Sequence, residues 1–258
     1  MSTRPRTSAG TEVEYPDSDG KPVAETPLHR DNLLSLVHVI RRHLATDPNT
    51  YVSGNMFLYY VPGDKRRHVS PDVFVARGVP PEPDPGRRVY LTWREGKGPD
   101  LVIEVTSPST RREDLRYKFA LYRDTLRVRE YFLFDPYGEY LDPPLRGYRR
   151  VDGQYVEIEP VHCRLPSEVT GLHLEGGEPM LRLYDPETRR LLPTVFEMAE
   201  GAEAARQDTE AALRQAEAAR QDTEAALRQA EASRRQEAGE NERLRLELEE
   251  LRRRLDGP

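Results

Sequence analysis

Hydrophobic positions in the first 195 residues follow two different periods. Apolar side chains recur at helical spacing over residues 28–44, and Thr26 followed by Pro27 supplies a cap and a first helical position. A second helix is predicted over 111–125, where Thr110 and Glu113 have the spacing of a capping box. Strand-like patterns surround these helices, at residues 51–61, 68–76, 90–93, 101–105 and 129–134. This mixture predicts an α/β domain.

Shorter alternating segments follow the second helix. They lie at residues 155–158, 172–174 and 180–184 and predict an added antiparallel layer of strands. Residues 1–14 are polar and are expected to be disordered. Composition changes near residue 195, as the distribution of tyrosine shows: all 13 Tyr of the chain precede that point. We therefore divide the chain into a folded domain over 15–195 and a tail over 196–258.

The tail is an internal repeat. The fourteen residues 204–217 recur without change at 218–231, a period of two heptads. Leu244, Leu248, Leu251 and Leu255 follow at 4-3-4 spacing. When this spacing is continued back into the repeat, one of the seam positions is an arginine. The pattern predicts a coiled coil that joins copies of the chain, and a single solvated helix is the alternative.

Charge and cysteine content limit the possible functions. The net charge is -6, and 11 basic against 16 acidic residues from 196 onward account for -5, which leaves -1 for the domain. A nucleic-acid site would therefore be a local basic patch, not a general field. The single Cys163 excludes an internal disulfide framework. Without a long apolar run or a leader-like start, we expect a soluble cytoplasmic protein that does not enter membranes.

Acidic residues at unusual positions are the candidate chemistry. Glu104 interrupts an apolar strand, where a carboxylate must be satisfied or must bind something. Asp72 lies in another predicted strand, Glu25 lies at the start of the first helix, and Lys118 lies beside the apolar stripe of the second helix. Carboxylates from two strands together with a lysine are what a Mg²⁺-dependent hydrolase requires.

The same residues belong to a wider pattern. The chain resembles the Uma-two family of restriction-type endonucleases, part of the PD-(D/E)XK nuclease superfamily, over about residues 15–190. The residues that carry this likeness are Asp19 to Pro22, Ala24 to Asp31, Pro71 to Val75, Pro99 to Ser109, Asp114, Lys118, Tyr122, Glu130 to Pro136 and Leu165 to Gly171. The tail lies outside it.

The resemblance implies a restriction-endonuclease-like mixed sheet flanked by helices, and an enzyme that cuts DNA with Mg²⁺ or Mn²⁺. By that resemblance Asp72 and Glu104 are the metal-binding and catalytic acids, and Glu25 matches an additional acid of the first helix. The superfamily's lysine would fall on Thr106. In this family it looks relocated to the following helix, which points to Lys118. A homodimer, formed through the domain or the tail, would bring two sites to one duplex.

Two alternatives stay open at this point. Asp100 shares a strand face with Glu104 and begins a second Pro-Asp pair, so it competes as a metal ligand. Threonine at position 106 and the near-neutral domain also allow a nuclease-like body without catalysis, which would act as a coiled-coil interaction or DNA-binding protein.

Overall fold

The computed structural model describes residues 13–18, 26–81, 87–108, 110–177 and 179–255. The α-helices are α1 (Pro27–His43), α2 (Thr92–Glu95) and α3 (Val195–Leu255). Residues 111–125 form a further helix that contains two π-helical stretches, Glu113–Lys118 and Leu121–Thr125, and is called the π-bulged helix below. The strands are β1 (Thr50–Ser53), β2 (Leu58–Tyr59), β3 (His68–Val69), β4 (Val73–Arg77), β5 (Tyr90–Leu91), β6 (Leu101–Val105), β7 (Glu130–Phe134), β8 (Leu145–Val151), β9 (Gln154–Glu157), β10 (Leu165–Pro166), β11 (His173–Gly176), β12 (Leu181–Asp185) and β13 (Arg190–Leu191).

The main sheet has six strands in the order β1-β4-β6-β7-β8-β9. β6 and β7 are parallel, joined by the π-bulged helix as crossover, and the other neighbours are antiparallel. A four-stranded antiparallel sheet (β10 to β13) and a three-stranded sheet (β3-β2-β5) complete the domain. The predicted α/β class is therefore confirmed: a mixed sheet flanked by helices, extra antiparallel strands and a long C-terminal helix.

The main sheet has an apolar core on each face. Ile103 and Val105 of β6 pack on the side of α1 and the four-stranded sheet. Val102 packs on the other side, against Tyr122 of the π-bulged helix and Tyr131 of β7. Because side chains alternate along a strand, Glu104 must point to the same side as Val102, toward the π-bulged helix. The strand pattern thus directs one carboxylate into an otherwise apolar layer.

Two predicted strands each divide in the structure. The segment 51–61 separates into β1 and β2, which belong to different sheets. The break falls at Gly54 and at Asn55, whose φ of 48° is left-handed. The segment 68–76 likewise divides into β3 and β4 around Pro71, which cannot donate to a ladder. Continuous hydrophobic patterns concealed both breaks.

Gly54 lies against the backbone of Asp72, and we expect its replacement to destabilise the domain. A Cβ on Gly54 would lie 2.1 Å from the Asp72 carbonyl oxygen, so Gly54→Ala forces one of the two segments to move. We expect a loss of about 2 kcal/mol in the free energy of unfolding, measured by urea denaturation. Gly201→Ala is the control, because a Cβ there meets nothing within 4 Å. Equal stability of Gly54→Ala and the parent would contradict this close approach.

Three smaller predictions also differ from the structure. The Thr110 side chain accepts a hydrogen bond from the backbone N–H of Ser107, whereas Glu113 contacts Thr110 through the backbone, its N–H donating to the Thr110 carbonyl oxygen over 2.8 Å. Residues 90–93 divide into β5 and the first turn of α2. β9 extends the main sheet, whereas only β10 to β13 form the added antiparallel layer.

Contacts divide the chain into two compact units, one ending at Met198 and the other beginning at Ala199. The second unit continues α3, and each of its leucines with a described side chain is exposed. None of the described helices has the length and apolar character that crossing a bilayer requires.

Candidate active site

Strand register places Asp72 beside Glu104. In the antiparallel pair of β4 and β6, Val73 lies opposite Ile103 and Phe74 lies opposite Val102. Continuing this register by one residue sets Asp72 opposite Glu104, and directly opposed residues have Cβ atoms about 4.5–5.5 Å apart. Asp72 therefore lies directly before β4, not within a strand as predicted, and faces Glu104 of the adjacent strand β6.

Backbone hydrogen bonds fix this pair of acids. The backbone N–H of Val105 donates to Oδ2 of Asp72 over 2.8 Å. The backbone N–H of Asp72 approaches Oε2 of Glu104 at 3.4 Å. The Glu104 side chain is 1% exposed and that of Asp72 is 17% exposed, so Asp72 is the more accessible of the two.

The π-bulged helix brings three polar side chains over β6. Nζ of Lys118 lies 3.0 Å from Oε2 of Glu104 and 3.0 Å from Oδ1 of Asp114. The Tyr122 hydroxyl donates to Oε1 of Glu104 over 2.6 Å. These residues are spaced four apart, so they form one buried stripe on the helix. We call Asp72, Glu104, Asp114, Lys118 and Tyr122 the buried polar cluster.

Burial and the neighbouring charges shift the pKa values of the groups in this cluster in opposite directions. Burial raises the pKa of the Glu104 carboxyl well above its ordinary value, and Lys118 only partly offsets this effect. Burial also raises the pKa of Asp114. Burial lowers the pKa of Lys118, but Glu104 and Asp114 outweigh it and the net pKa is raised. Three carboxyl groups share one ammonium, so the lysine stays charged while the buried acids resist ionisation.

The cluster has the chemistry of a site for a hard divalent cation. Carboxylate oxygens are the donors that Mg²⁺ prefers, and Mg²⁺ usually binds through only one or two protein carboxylates. Within the described residues, no group of three or more His, Cys, Asp or Glu is arranged to hold a metal. Oδ1 of Asp114 is buried, and the ammonium of Lys118 contacts it over 3.0 Å. Asp72 and Glu104 therefore fit a two-carboxylate magnesium site.

The remaining candidate acids have different surroundings. Asp100 accepts hydrogen bonds from Nζ of Lys97 and from the backbone N–H of Arg77, so its carboxylate is occupied in a structural contact. Glu25 lies outside the described residues. His29 of α1 extends the cluster instead, because its Nε2 lies 3.4 Å from Oδ1 of Asp72.

At position 106, where the superfamily has a lysine, Thr106 makes an uncharged polar contact. The Thr106 side chain is in contact with the Tyr140 hydroxyl, and the Arg111 guanidinium lies 5.3 Å from the centre of the Tyr140 ring. The amino group of Lys118 reaches Glu104 from the following helix. A lysine beside the central acid is thus present in space, although it is displaced in sequence.

The sequence analysis assigned no role at the site to three residues that the structure brings there. Asp114 and Tyr122 belong to the residues of the resemblance, and their spacing of four from Lys118 is the signal that places them beside it on one face of the helix. His29 lies within the segment Ala24 to Asp31 of the same pattern, and its position on the first turns of α1 brings it to Asp72.

Comparisons with known proteins find a matching family and a similar solved structure. The model of the Uma2 (Uma-two) family, described as "Putative restriction endonuclease", matches residues 4–177. The solved structure is a "putative nuclease belonging to DUF820 from Anabaena variabilis ATCC 29413", with 19% identity, a TM-score of 0.43 and coverage of 60% of this chain and 80% of that chain. No curated protein matches the sequence. Because the family model covers most of the chain, including the buried polar cluster, the protein belongs to the Uma2 family.

Proposed function

We propose that the protein is a Mg²⁺-dependent endonuclease, also active with Mn²⁺, that hydrolyses DNA phosphodiester bonds. Membership of the family supports a nuclease. The single observation that carries the proposal of metal-dependent cleavage is the pairing of Asp72, directly before β4, with Glu104 of the adjacent strand β6. Both lie beneath the ammonium of Lys118. Two oxygen donors and one cation are the groups that phosphoryl transfer requires.

Each residue of the cluster has a distinct proposed role. Asp72 and Glu104 hold the metal, which when bound polarises a phosphate and activates water. Tyr122 orients Glu104 through its 2.6 Å hydrogen bond. Glu25 is proposed to assist from the start of the first helix.

Lys118 acts as a charged donor in this proposal. Its carboxylate neighbours raise its pKa, so it stays protonated at neutral pH and cannot take a proton from water. It can donate to the attacking water or to a phosphate oxygen, where negative charge increases in the transition state. The proton lost by the water therefore goes to solvent or to an oxygen of the substrate phosphate.

A direct test is cleavage of supercoiled plasmid with Mg²⁺ or Mn²⁺. We expect Asp72→Asn to cut at least about 100-fold more slowly than the parent, because a neutral amide is a weaker metal ligand than a carboxylate. Asp152→Asn is the matched control, since Asp152 is exposed in a turn with φ of 48°, which asparagine tolerates well. Cleavage by Asp72→Asn at the parent rate would eliminate the proposed site and favour the non-catalytic alternative.

We further propose that the tail joins copies of the chain as a coiled coil. Leu244, Leu248 and Leu251 are each about half exposed on α3 at 4-3 spacing, and such a seam is normally covered by another helix. We expect Leu248→Glu to shift a parent oligomer toward monomer in sedimentation equilibrium. Leu246→Glu is the control, because Leu246 is 61% exposed but lies off the seam. An identical association constant for the two variants would refute this assembly.

A further inference from the structure

The outer side of the π-bulged helix carries a groove. It lies between that helix and the loop connecting β2 to β3, and the residues that line it include Tyr60, Asp64, Arg67, Tyr117, Ala120 and Asp124. The Tyr60 and Tyr117 hydroxyls lie 3.2 Å apart and join the loop to the helix. The groove therefore has two walls that are held together by a hydrogen bond.

The loop wall is ordered by its own backbone. The N–H of Tyr60 donates to the carbonyl oxygen of Arg67, and the N–H of Arg67 donates to that of Asp64. The Asp64 carboxylate accepts from the backbone N–H of Arg66 and from its guanidinium. These hydrogen bonds form a tight turn and fix the backbone that carries Arg67 beside the groove.

Cations exceed acids around the groove. Lys65, Arg67, Arg112 and Arg116 are exposed, and within the described ranges none of them forms an ion pair with a carboxylate. Arg116 lies about one helical turn before Ala120, which lines the groove. Two acids line the groove, Asp64 and Asp124, and each is paired with an arginine, Arg66 and Arg123 respectively. Glu113 is the other acid near Tyr117. This local excess of positive charge contrasts with a domain that is nearly neutral.

Both walls connect directly to the buried polar cluster. Tyr117 immediately precedes Lys118, so one helix presents an exposed ring outward and the buried ammonium inward. The loop continues through β3 and reaches Asp72 three residues after Val69, a span of at most about 11 Å. A polyanion in the groove would thus contact two segments that lead within a few residues to Lys118 and to Asp72.

We propose that this groove binds the phosphate backbone of the DNA substrate, with Arg67 and Arg116 as its main contacts. The inference rests on the proposed nuclease function and specifies where the substrate lies. Guanidinium groups suit phosphate because their donors match its oxygens in pairs. The Tyr60 and Tyr117 pair holds the two arginine-bearing walls at a fixed separation.

The test is the salt dependence of binding to a short duplex, measured by fluorescence anisotropy in EDTA so that cleavage does not interfere. Each phosphate contact contributes about 0.9 to the slope of log K against log salt. We expect Arg67→Gln and Arg116→Gln each to reduce the slope by about 0.9, and to weaken binding about fivefold near 0.15 M salt. Arg190→Gln is the control, since Arg190 is exposed on β13, outside the groove.

The outcomes separate this inference from the proposed function. A parent that binds through Arg67 and Arg116 but never cuts DNA would support the groove and contradict the nuclease. A parent that cuts DNA while both variants keep the parent slope would overturn the groove and leave the nuclease standing. An equal loss of slope in Arg190→Gln, or no binding by the parent, would also overturn the groove.

Discussion

Lys118→Met is expected to reduce DNA cleavage at least about 100-fold and to lower the free energy of unfolding by about 3 kcal/mol. The side chain that remains is similar in length but cannot neutralise Glu104 and Asp114, which are 1% and 2% exposed. Removing the cation of a buried ion pair leaves uncompensated carboxyl groups, which must take up protons or admit water. Plasmid cleavage and urea denaturation measure the two losses.

Two comparisons separate catalysis from folding in this result. Lys97→Met is the control, because its ammonium pairs with Asp100 at a site 36% exposed, where we expect a cost below about 1 kcal/mol. The double variant Lys118→Met/Glu104→Gln removes one uncompensated acid with the cation. It should recover part of the stability while cleavage stays lost. Full cleavage by Lys118→Met would show that the lysine acts only in folding.

The fold could be predicted where the hydrophobic period is long and regular. Helix α1 and the strand pair β6 and β7 follow directly from such patterns. The breaks within 51–61 and 68–76 could not be located, because backbone crowding at Gly54 and the change of sheet at Pro71 leave the hydrophobic pattern intact. The π-helical stretches were hidden for a similar reason, since apolar spacing of three and four fits an ordinary helix as well.

The candidate site could be predicted in part because acids in apolar strands are conspicuous. Glu104 and Asp72 could be named from the sequence, and the structure brings them together. Position 106 carries no lysine, and the resemblance pointed to Lys118 instead, whose amino group the crossover helix brings to Glu104. His29 could not be found by pattern, because its contact with Asp72 depends on how α1 packs across the sheet.

Glu104→Gln is expected to abolish metal binding and to stabilise the metal-free protein relative to the parent increasingly as pH rises. Burial raises the pKa of Glu104 in the folded state above its unfolded value. A raised pKa stabilises the fold below the unfolded pKa, and that contribution is lost as pH rises through the folded pKa. The metal-free parent should therefore lose stability with rising pH, whereas a neutral glutamine does not take part in this titration. Lys118 keeps Asp114 as a partner in the variant.

The pH dependence of two measurements tests this argument for Glu104. In EDTA, the melting temperature of Glu104→Gln should exceed that of the parent by a margin that widens from about pH 5 to about pH 8. In excess Mn²⁺ the parent should have the higher melting temperature, because a metal that binds only the folded parent stabilises it by mass action. Asp100→Asn should show no such crossing, since the Asp100 carboxylate is held by Lys97 and a backbone N–H. At the proposed site a metal would compete with a proton for Glu104, so we expect the affinity of the parent for Mn²⁺ to increase with pH as well. A Glu104→Gln variant that binds Mn²⁺ as tightly as the parent would remove Glu104 from the metal site.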